Sequence, residues 1–500
     1  MNSRALTSLI CLAFLFVMAS CSMRNIAEEK QGNSALDYVA EGRGTWIGMS
    51  RRARDWDSTM AALADAGFNM VFPCMNTGGA AIYPSDVLPM ISEGDELAAC
   101  IEAAHRHGIE VHVWRINWYM SSAPAEFARR MMDEGRIQYS WDGKRNGPKM
   151  KELGYNQPED WLCPSHPANR ELEKRAMLEL VEKYDVDGVH FDYMRFSNDH
   201  FCYCDGCRER FSEQRGLENL SWPAEVWKEG RLREVYLDWR RDLIHSSARE
   251  IADAVHELDP YVCVNLAGRN SPYWCTYSDG QQWWKWMDEG ILDFLCAMDY
   301  QADAEKFQRA VESHIPLIRA TGVPYYCGLG LYEMDSLAQL KANIAIGREL
   351  GQNGWITFSE RSLMKHLTAI KAEVNTRPAL LPHRAPRTRF FLAEPDSYSD
   401  QGFAHYNSGS ISGQMSVALS GKLKVGIIAV RGEVWLENMA GERLSRIAEV
   451  NLDRARRIPL LCELPSPGRY RLGFYGRMTL SAGGEKPFGM HGFPFESTGG

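Results

Sequence analysis

Beyond residue 18 the sequence contains no apolar run long enough to cross a bilayer as a helix. A basic block is also missing. The formal net charge is −9, and without a positive stripe there is no electrostatic footprint for a phosphate backbone or another acidic polymer, so nucleic acid is not expected as a partner. Tryptophan is nearly absent from the tail: of fifteen copies, only Trp435 lies beyond residue 375. Aromatic surface for stacking therefore belongs to the N-terminal part, although most indoles are expected in the core. What is present is length. Five hundred residues exceed what one core usually holds, so two domains are expected.

The one strongly apolar stretch stands at the amino end. Arg4 precedes residues 9–18 (LICLAFLFVM), a run with the length of a signal core and too short for a span. It ends in Met18-Ala19-Ser20-Cys21, which resembles the lipobox of bacterial lipoproteins. That resemblance implies cleavage before Cys21, acylation of its thiol, a polar tether over 21–42 and a membrane-anchored position in the cell envelope, on the periplasmic or surface face of an outer membrane. Ordinary secretory cleavage near Ala19 is the alternative.

From Arg43 onward, short runs rich in β-branched and aromatic residues alternate with helical patterns, as in parallel βα units. Eight runs are expected as strands: 45–49, 69–75, 110–114, 188–195, 261–266, 294–300, 325–329 and 354–359. Between the second and third, Leu97, Ile101 and Ala104 fall at helical spacing before the stop signal Gly108. Eight repeats over 43–374 predict a (β/α)8 TIM-type barrel whose active site lies where the strands end. An Arg/Pro-rich linker over 375–388 follows, then alternating segments over 389–496 that predict a small all-β, sandwich-like domain. With no clear aromatic row, this tail reads as a packing domain rather than a carbohydrate-binding module, and residues 497–500 are expected to be disordered.

The chemistry concentrates in YDVDGVHFDYMRF, residues 184–196, after a helix whose Leu172, Ala176 and Leu180 share a face. Alternation along this fourth strand points Val189 and Phe191 at the helices and His190 and Asp192 at the barrel axis, Asp192 nearest the mouth. A carboxylate buried there is either catalytic or half of an ion pair, with Arg195 or Arg115. Asp187, at the start of the strand, reads as a turn or cap.

Four segments occur in order: Arg43-Gly44-Thr45-Trp46, WLCPSHPANRE, YDVDGVHFDYMRF and WKWMDEGILDF. Together they resemble the glycosyl-hydrolase-like family 10. The resemblance covers the barrel and not the tail, and it implies an exported barrel acting on glycosidic bonds of a polysaccharide or of peptidoglycan glycan. It places the family's His-Phe-Asp element on His190, Phe191 and Asp192. At strand six the chain departs from the family, with Ala297-Met298-Asp299-Tyr300 in place of a more apolar, glutamine-containing ending. A chitinase-type barrel is not supported, because its essential Glu position holds Met194 and the preceding Asp position holds His190.

Glycosidic hydrolysis needs two carboxyl groups, so Asp192 needs a partner. Asp299 is the first candidate, Glu360 its rival, and Glu333 a weaker one, while strand five offers only Asn265. Around the expected mouth, Trp114, Arg115, Asn117, Trp118, Tyr193, Arg195 and Tyr300, with His190, Asn265 and Asn76, supply rings and donors suited to substrate.

A second constellation is Cys202-x-Cys204-x-x-Cys207, with Cys163 some forty residues earlier and His200 just before it. It is similar to the zinc loop of the glycoside hydrolase family 42 β-galactosidases, carried here by Cys163, Pro164, Pro167, Cys202, Cys204, Cys207 and Phe211. A structural zinc held by four thiolates is favoured over disulfides, which so short a segment would strain. No organic cofactor is indicated. The other seven cysteines from Cys74 onward read as buried small residues. Two functions stand: a glycoside hydrolase using paired carboxylates with a zinc staple, or a catalytically silent, lipid-anchored glycan-binding protein. Zinc-dependent hydrolysis would require an open metal position.

Overall fold

The computed structural model describes residues 38–498 apart from 157–158, 400, 402, 419–426, 454–455 and 481–483. The signal stretch, Cys21 and the tether up to residue 37 lie outside the described residues. Eight parallel strands close into a barrel: β1 Gly42–Ile47, β2 Met70–Thr77, β3 Glu110–Ile116, β4 Gly188–Asp192, β5 Cys263–Gly268, β6 Phe294–Ala297, β7 Tyr325–Gly330 and β8 Gly354–Phe358. The seam sets Gly42 opposite Gly354, where a Cβ on Gly354 would lie 2.1 Å from the Gly42 carbonyl oxygen. Only glycine fits that approach.

Local rules explain the helices between the strands. Asp95 accepts a hydrogen bond from the Ala98 amide at 3.0 Å and so caps Glu96–Arg106, which buries Leu97, Cys100, Ile101 and Ala104 before Gly108 turns at φ 71°. Each large apolar side chain buried this way contributes about 1.5–3 kcal/mol. Alternation along the strands then sorts side chains into two layers. Trp46, Phe72, Trp114, Phe294, Cys296 and Ile356 fill the barrel, while Val189, Phe191, Leu295 and Ala297 join the shell beneath the helices.

Two strands stop three residues earlier than the sequence pattern predicts, each at or just before an acid. β4 ends at Asp192 because Tyr193 takes φ 57°, which turns the chain off the sheet. β6 ends at Ala297, whose carbonyl accepts the Asp299 amide at 3.0 Å in a tight turn.

The tail folds as two antiparallel-rich sheets. Arg387–Leu392, Ser410–Ala418 and Arg456–Glu463 form one, and Ile427–Asn438, Arg443–Leu452, Gly468–Leu480 and Glu485–His491 dominate the other. Val434, Leu436, Phe474 and Phe488 lie in their shared core. Ser497 is ordered, contrary to expectation: Phe495–Ser497 pairs with Ala404–Tyr406, and the Thr498 amide bonds to the Tyr406 carbonyl at 3.1 Å. Sheet pairing satisfies backbone groups that would otherwise be left to solvent. The expected linker is likewise packed down. Ala379–Leu380 pairs with Val39–Ala40, and His383 and Arg384 seal the amino end of the barrel.

Candidate functional site

Asp192 stands at the carboxyl end of β4 and is 6% exposed. Its Oδ2 accepts the Trp114 indole N–H at 3.0 Å and its Oδ1 the Tyr193 amide at 2.8 Å. Burial pushes its carboxyl up to about 6, against the opposing pull of Arg195 and these two donors. A carboxyl raised in this way is suited to act as a general acid or base.

Aromatic side chains cluster beside it at the carboxyl ends of the strands. Tyr300 stacks on Phe358 at 5.5 Å between centroids, Trp46 meets Tyr300 edge-on at 6.1 Å, and Trp114 meets Phe358 edge-on at 6.1 Å. On the other side, Tyr193 stacks on Trp161 at 4.9 Å, and the Arg195 guanidinium covers the Tyr193 ring at 4.5 Å. Arg195 also donates to the Phe196 and Ser197 carbonyls at 3.2 and 3.0 Å, which fixes the loop leaving β4. Trp114, Tyr193, Arg195 and Tyr300 thus surround Asp192.

Several of the other expected site residues lie away from Asp192. Asp299 is fully buried on the helix side of the barrel, where the Tyr325 hydroxyl bonds to it and His314 Nδ1 lies 3.7 Å away. It shares its side with Leu295 and Ala297, whereas Phe294, Cys296, Met298 and Tyr300 share the interior side, so it cannot face Asp192. Glu360 follows β8 at the rim and pairs with Arg54 at 3.0 Å. Glu333 is exposed on a short turn after β7.

Arg115, Asn117 and Trp118 also face outward, against the Pro167–Lys183 helix. There Glu173, fully buried, accepts Arg115 Nε and Nη2 at 2.8 Å each, Asn117 Nδ2 at 2.7 Å and the Trp118 amide at 3.1 Å. These four contacts pin the loop after β3 in place. The sequence pattern missed Glu173 because the helix is turned by one residue: its buried stripe is Glu173, Ala176, Met177 and Leu180, with Leu172 at the margin. The signal available was an acid at helical spacing among apolar residues. Asn76, fully buried, donates to the Tyr83 hydroxyl at 2.7 Å instead of facing the mouth.

His190 and Asn265 lie inside the barrel with no exposure, in a chain of hydrogen bonds rather than at the opening. The Trp46 indole N–H donates to His190 Nε2 at 2.9 Å, so Nδ1 carries the ring proton toward Asn265 Oδ1 at 2.5 Å. The Asn265 amide continues to His112 Nδ1 at 3.1 Å, and His112 Nε2 lies 3.3 Å from Glu110. Burial lowers His190 to about 3, so its ring is neutral and holds Trp46.

The four cysteines converge as expected. Cys163, Cys202, Cys204 and Cys207 are buried with all four sulfurs within 4.8 Å of one another. Cys163 lies 3.5 Å from Cys207 and 3.9 Å from Cys204, and all are free thiols. A tetrahedral ion with metal–sulfur bonds near 2.3 Å sets its sulfurs about 3.8 Å apart, whereas a disulfide needs about 2.05 Å. The donor set therefore fits a metal and not a bridge. Amides of Tyr139 and Cys207 point at Cys202 and Cys204 at 3.4 Å, as donors do around bound thiolates.

A closed eight-stranded barrel with a buried carboxyl at a strand end, among aromatic side chains, is compatible with a glycoside-hydrolase-like protein. The chain belongs to the family Glycosyl hydrolase-like 10, whose profile matches residues 41–345. The glycosyl hydrolase DigH of Escherichia coli strain K12 is 23% identical over 314 residues, 55% of this chain and 65% of that protein. The glycosyl hydrolase YngK of Bacillus subtilis strain 168 is 22% identical over 322 residues, 58% of each chain. The match thus spans less than two thirds of either relative. The glycoside hydrolase domain of PgaB (BpsB) from Bordetella bronchiseptica shares the fold, with a TM-score of 0.53 at 14% identity, over 66% of this chain and 98% of that domain.

Proposed function

We propose that the protein hydrolyses glycosidic bonds of a polysaccharide or of peptidoglycan glycan, with Asp192 as general acid. The observation that carries this reading is a buried carboxyl at the end of β4, pushed up to about 6, beside a cluster of aromatic side chains. A carboxyl raised to about 6 keeps a protonated fraction in mildly acidic solution that can deliver its proton to a leaving glycosidic oxygen. Glu360 is then the candidate for the second carboxyl, since Asp299 faces the helices. The Cys163, Cys202, Cys204 and Cys207 thiolates would hold zinc as a structural staple. Four protein ligands leave no position for a reactive water, so the staple acts on the loop that carries Asp192 and not on the bond that breaks.

One observation favours the second reading, glycan binding without turnover: Glu360 is already paired with Arg54. New reducing ends released by wild type, Asp192→Asn and Glu360→Gln from polysaccharides and from peptidoglycan glycan strands decide between them. Activity lost in both variants supports hydrolysis by two acids, and full turnover by Asp192→Asn overturns the assignment. We further propose export and acylation at Cys21, which places the protein in the cell envelope. Release of a Cys21→Ser chain from the membrane fraction tests that step.

A further inference from the structure

The loop after β5 presents Tyr273, Trp274 and Tyr277 to solvent, 61, 45 and 41% exposed. Tyr273 lies 5.2 Å from Trp274 and 5.0 Å from Tyr277 between ring centroids, so the three form one patch. Exposed aromatic clusters of this kind mark contact surfaces rather than core.

The backbone beneath them is held firmly. Cys275, Ser278 and Asp279 are buried, Arg241 donates to the Thr276 carbonyl at 2.8 Å, Arg240 to the Ser278 carbonyl at 2.7 Å, and Arg269 pairs with Asp279 at 2.8 Å. The same segment is tied to the loop that leaves Asp192. The Phe196 amide bonds to the Asp279 carbonyl at 2.9 Å, and Gln281 donates to the Met194 carbonyl at 3.3 Å. The rings are thus mounted on the mouth side of the barrel at a fixed offset from Asp192.

We propose that Tyr273, Trp274 and Tyr277 form an outlying platform on which sugar rings of a long glycan stack while another part of the chain lies over Asp192. This rests on the glycan-directed reading and extends it, because a platform outside the mouth serves a polymer and not a short oligosaccharide. Flat C–H faces of sugar rings suit exposed aromatic faces, and the tyrosine hydroxyls and indole N–H remain free to meet sugar hydroxyls at the ring edges. A rigid support keeps the entropy cost of such contacts low. Continuity with the loop of Asp192 favours a glycan over a lipid surface as the occupant.

The test uses the full chain carrying Asp192→Asn, so that binding is read without turnover. Retention is measured by affinity electrophoresis in soluble xylan, glucomannan and galactan, and by sedimentation with peptidoglycan glycan strands. Adding Tyr273→Ala, Trp274→Ala and Tyr277→Ala should weaken retention on the polymer that binds by about tenfold or more, while affinity for its di- and trisaccharides changes by less than about twofold. Tyr273→Phe with Tyr277→Phe should keep most of the retention, which separates ring stacking from a folding defect. Unchanged retention in the alanine variant, no retention of the parent by any of these polymers, or loss of vesicle binding in place of glycan binding overturns the platform. If wild type releases no reducing ends yet the alanine variant loses retention, the hydrolytic reading fails and the platform stands.

Discussion

Glu110, at the amino end of β3, and Asp192, at the carboxyl end of β4, are carboxyls at opposite ends of one barrel, and the protein surrounds them differently. Glu110 is saturated with donors. Arg384 reaches it through Nε at 2.8 Å and Nη2 at 3.0 Å, His383 Nε2 lies 3.1 Å away, and His112 Nε2 3.3 Å away. Burial alone would raise its carboxyl, but Arg384 and the two histidines outweigh burial and hold it well below the usual range. Among the described residues an indole and one amide bond to Asp192, with Arg195 acting from its own loop, and burial wins. The lesson is that burial does not decide a carboxyl's chemistry; the count of charged donors against it does. The sealed end spends its acid on holding the tail to the barrel, and the open end keeps an acid that can exchange its proton.

Exchanging the two roles by mutation should show the contrast most sharply. Asp192→Asn is expected to lower turnover by about 10²–10⁴-fold, as loss of a general acid does, while leaving the cooperative melt intact. Glu110→Gln should do the reverse: turnover persists in the folded fraction, but stability falls by about 3–5 kcal/mol, because Arg384 loses its buried counter-charge. Chemical denaturation of both variants reads the second effect. An equal activity loss in Glu110→Gln at a temperature where it is folded would erase the distinction between the two ends.

The pH dependence follows from the sign of each shift. The folded Asp192 carboxyl at about 6 lies above its ordinary 3.8, so the folded state holds this proton more tightly and stability is lost as pH rises between these values. Asp192→Asn is therefore expected to exceed the parent in stability by about 3 kcal/mol above pH 7 and to match it near pH 3, as unfolding curves at both pH values would show. Glu110 is shifted the other way, so its contribution is present at neutral pH and lost only as acid takes the solution below its ordinary 4.5. The smallest effect concerns Trp114→Phe. Removing an N–H that favours the charged Asp192 should move the basic limb of kcat/KM, expected near pH 6, upward by about half a unit. A downward move would place the proton on the wrong group.

The order of eight strands, their approximate bounds and the inward direction of His190 and Asp192 were all legible, because each rests on local alternation that tertiary contacts reinforce. The same rule, carried through strand six and strand three, would have turned Asp299, Arg115 and Asn117 outward, since Cys296 and Trp114 fix the interior side. Those placements failed through the weight given to residue type over register. Other features had no local signal. Nothing in the Arg/Pro-rich stretch announces that His383 and Arg384 will close the far end of the barrel, because their partner Glu110 lies more than 270 residues away.

By itself, then, the sequence determined the (β/α)8 repeat, the place of Asp192 at a strand end and the convergence of Cys163 with Cys202, Cys204 and Cys207, since spacing and periodicity are properties of neighbouring residues. Only the tertiary structure decided which carboxyls are neutralised by charged donors and which are left to burial. That balance depends on groups brought together from distant parts of the chain, and it is what separates Asp192 from Glu110 and Glu173.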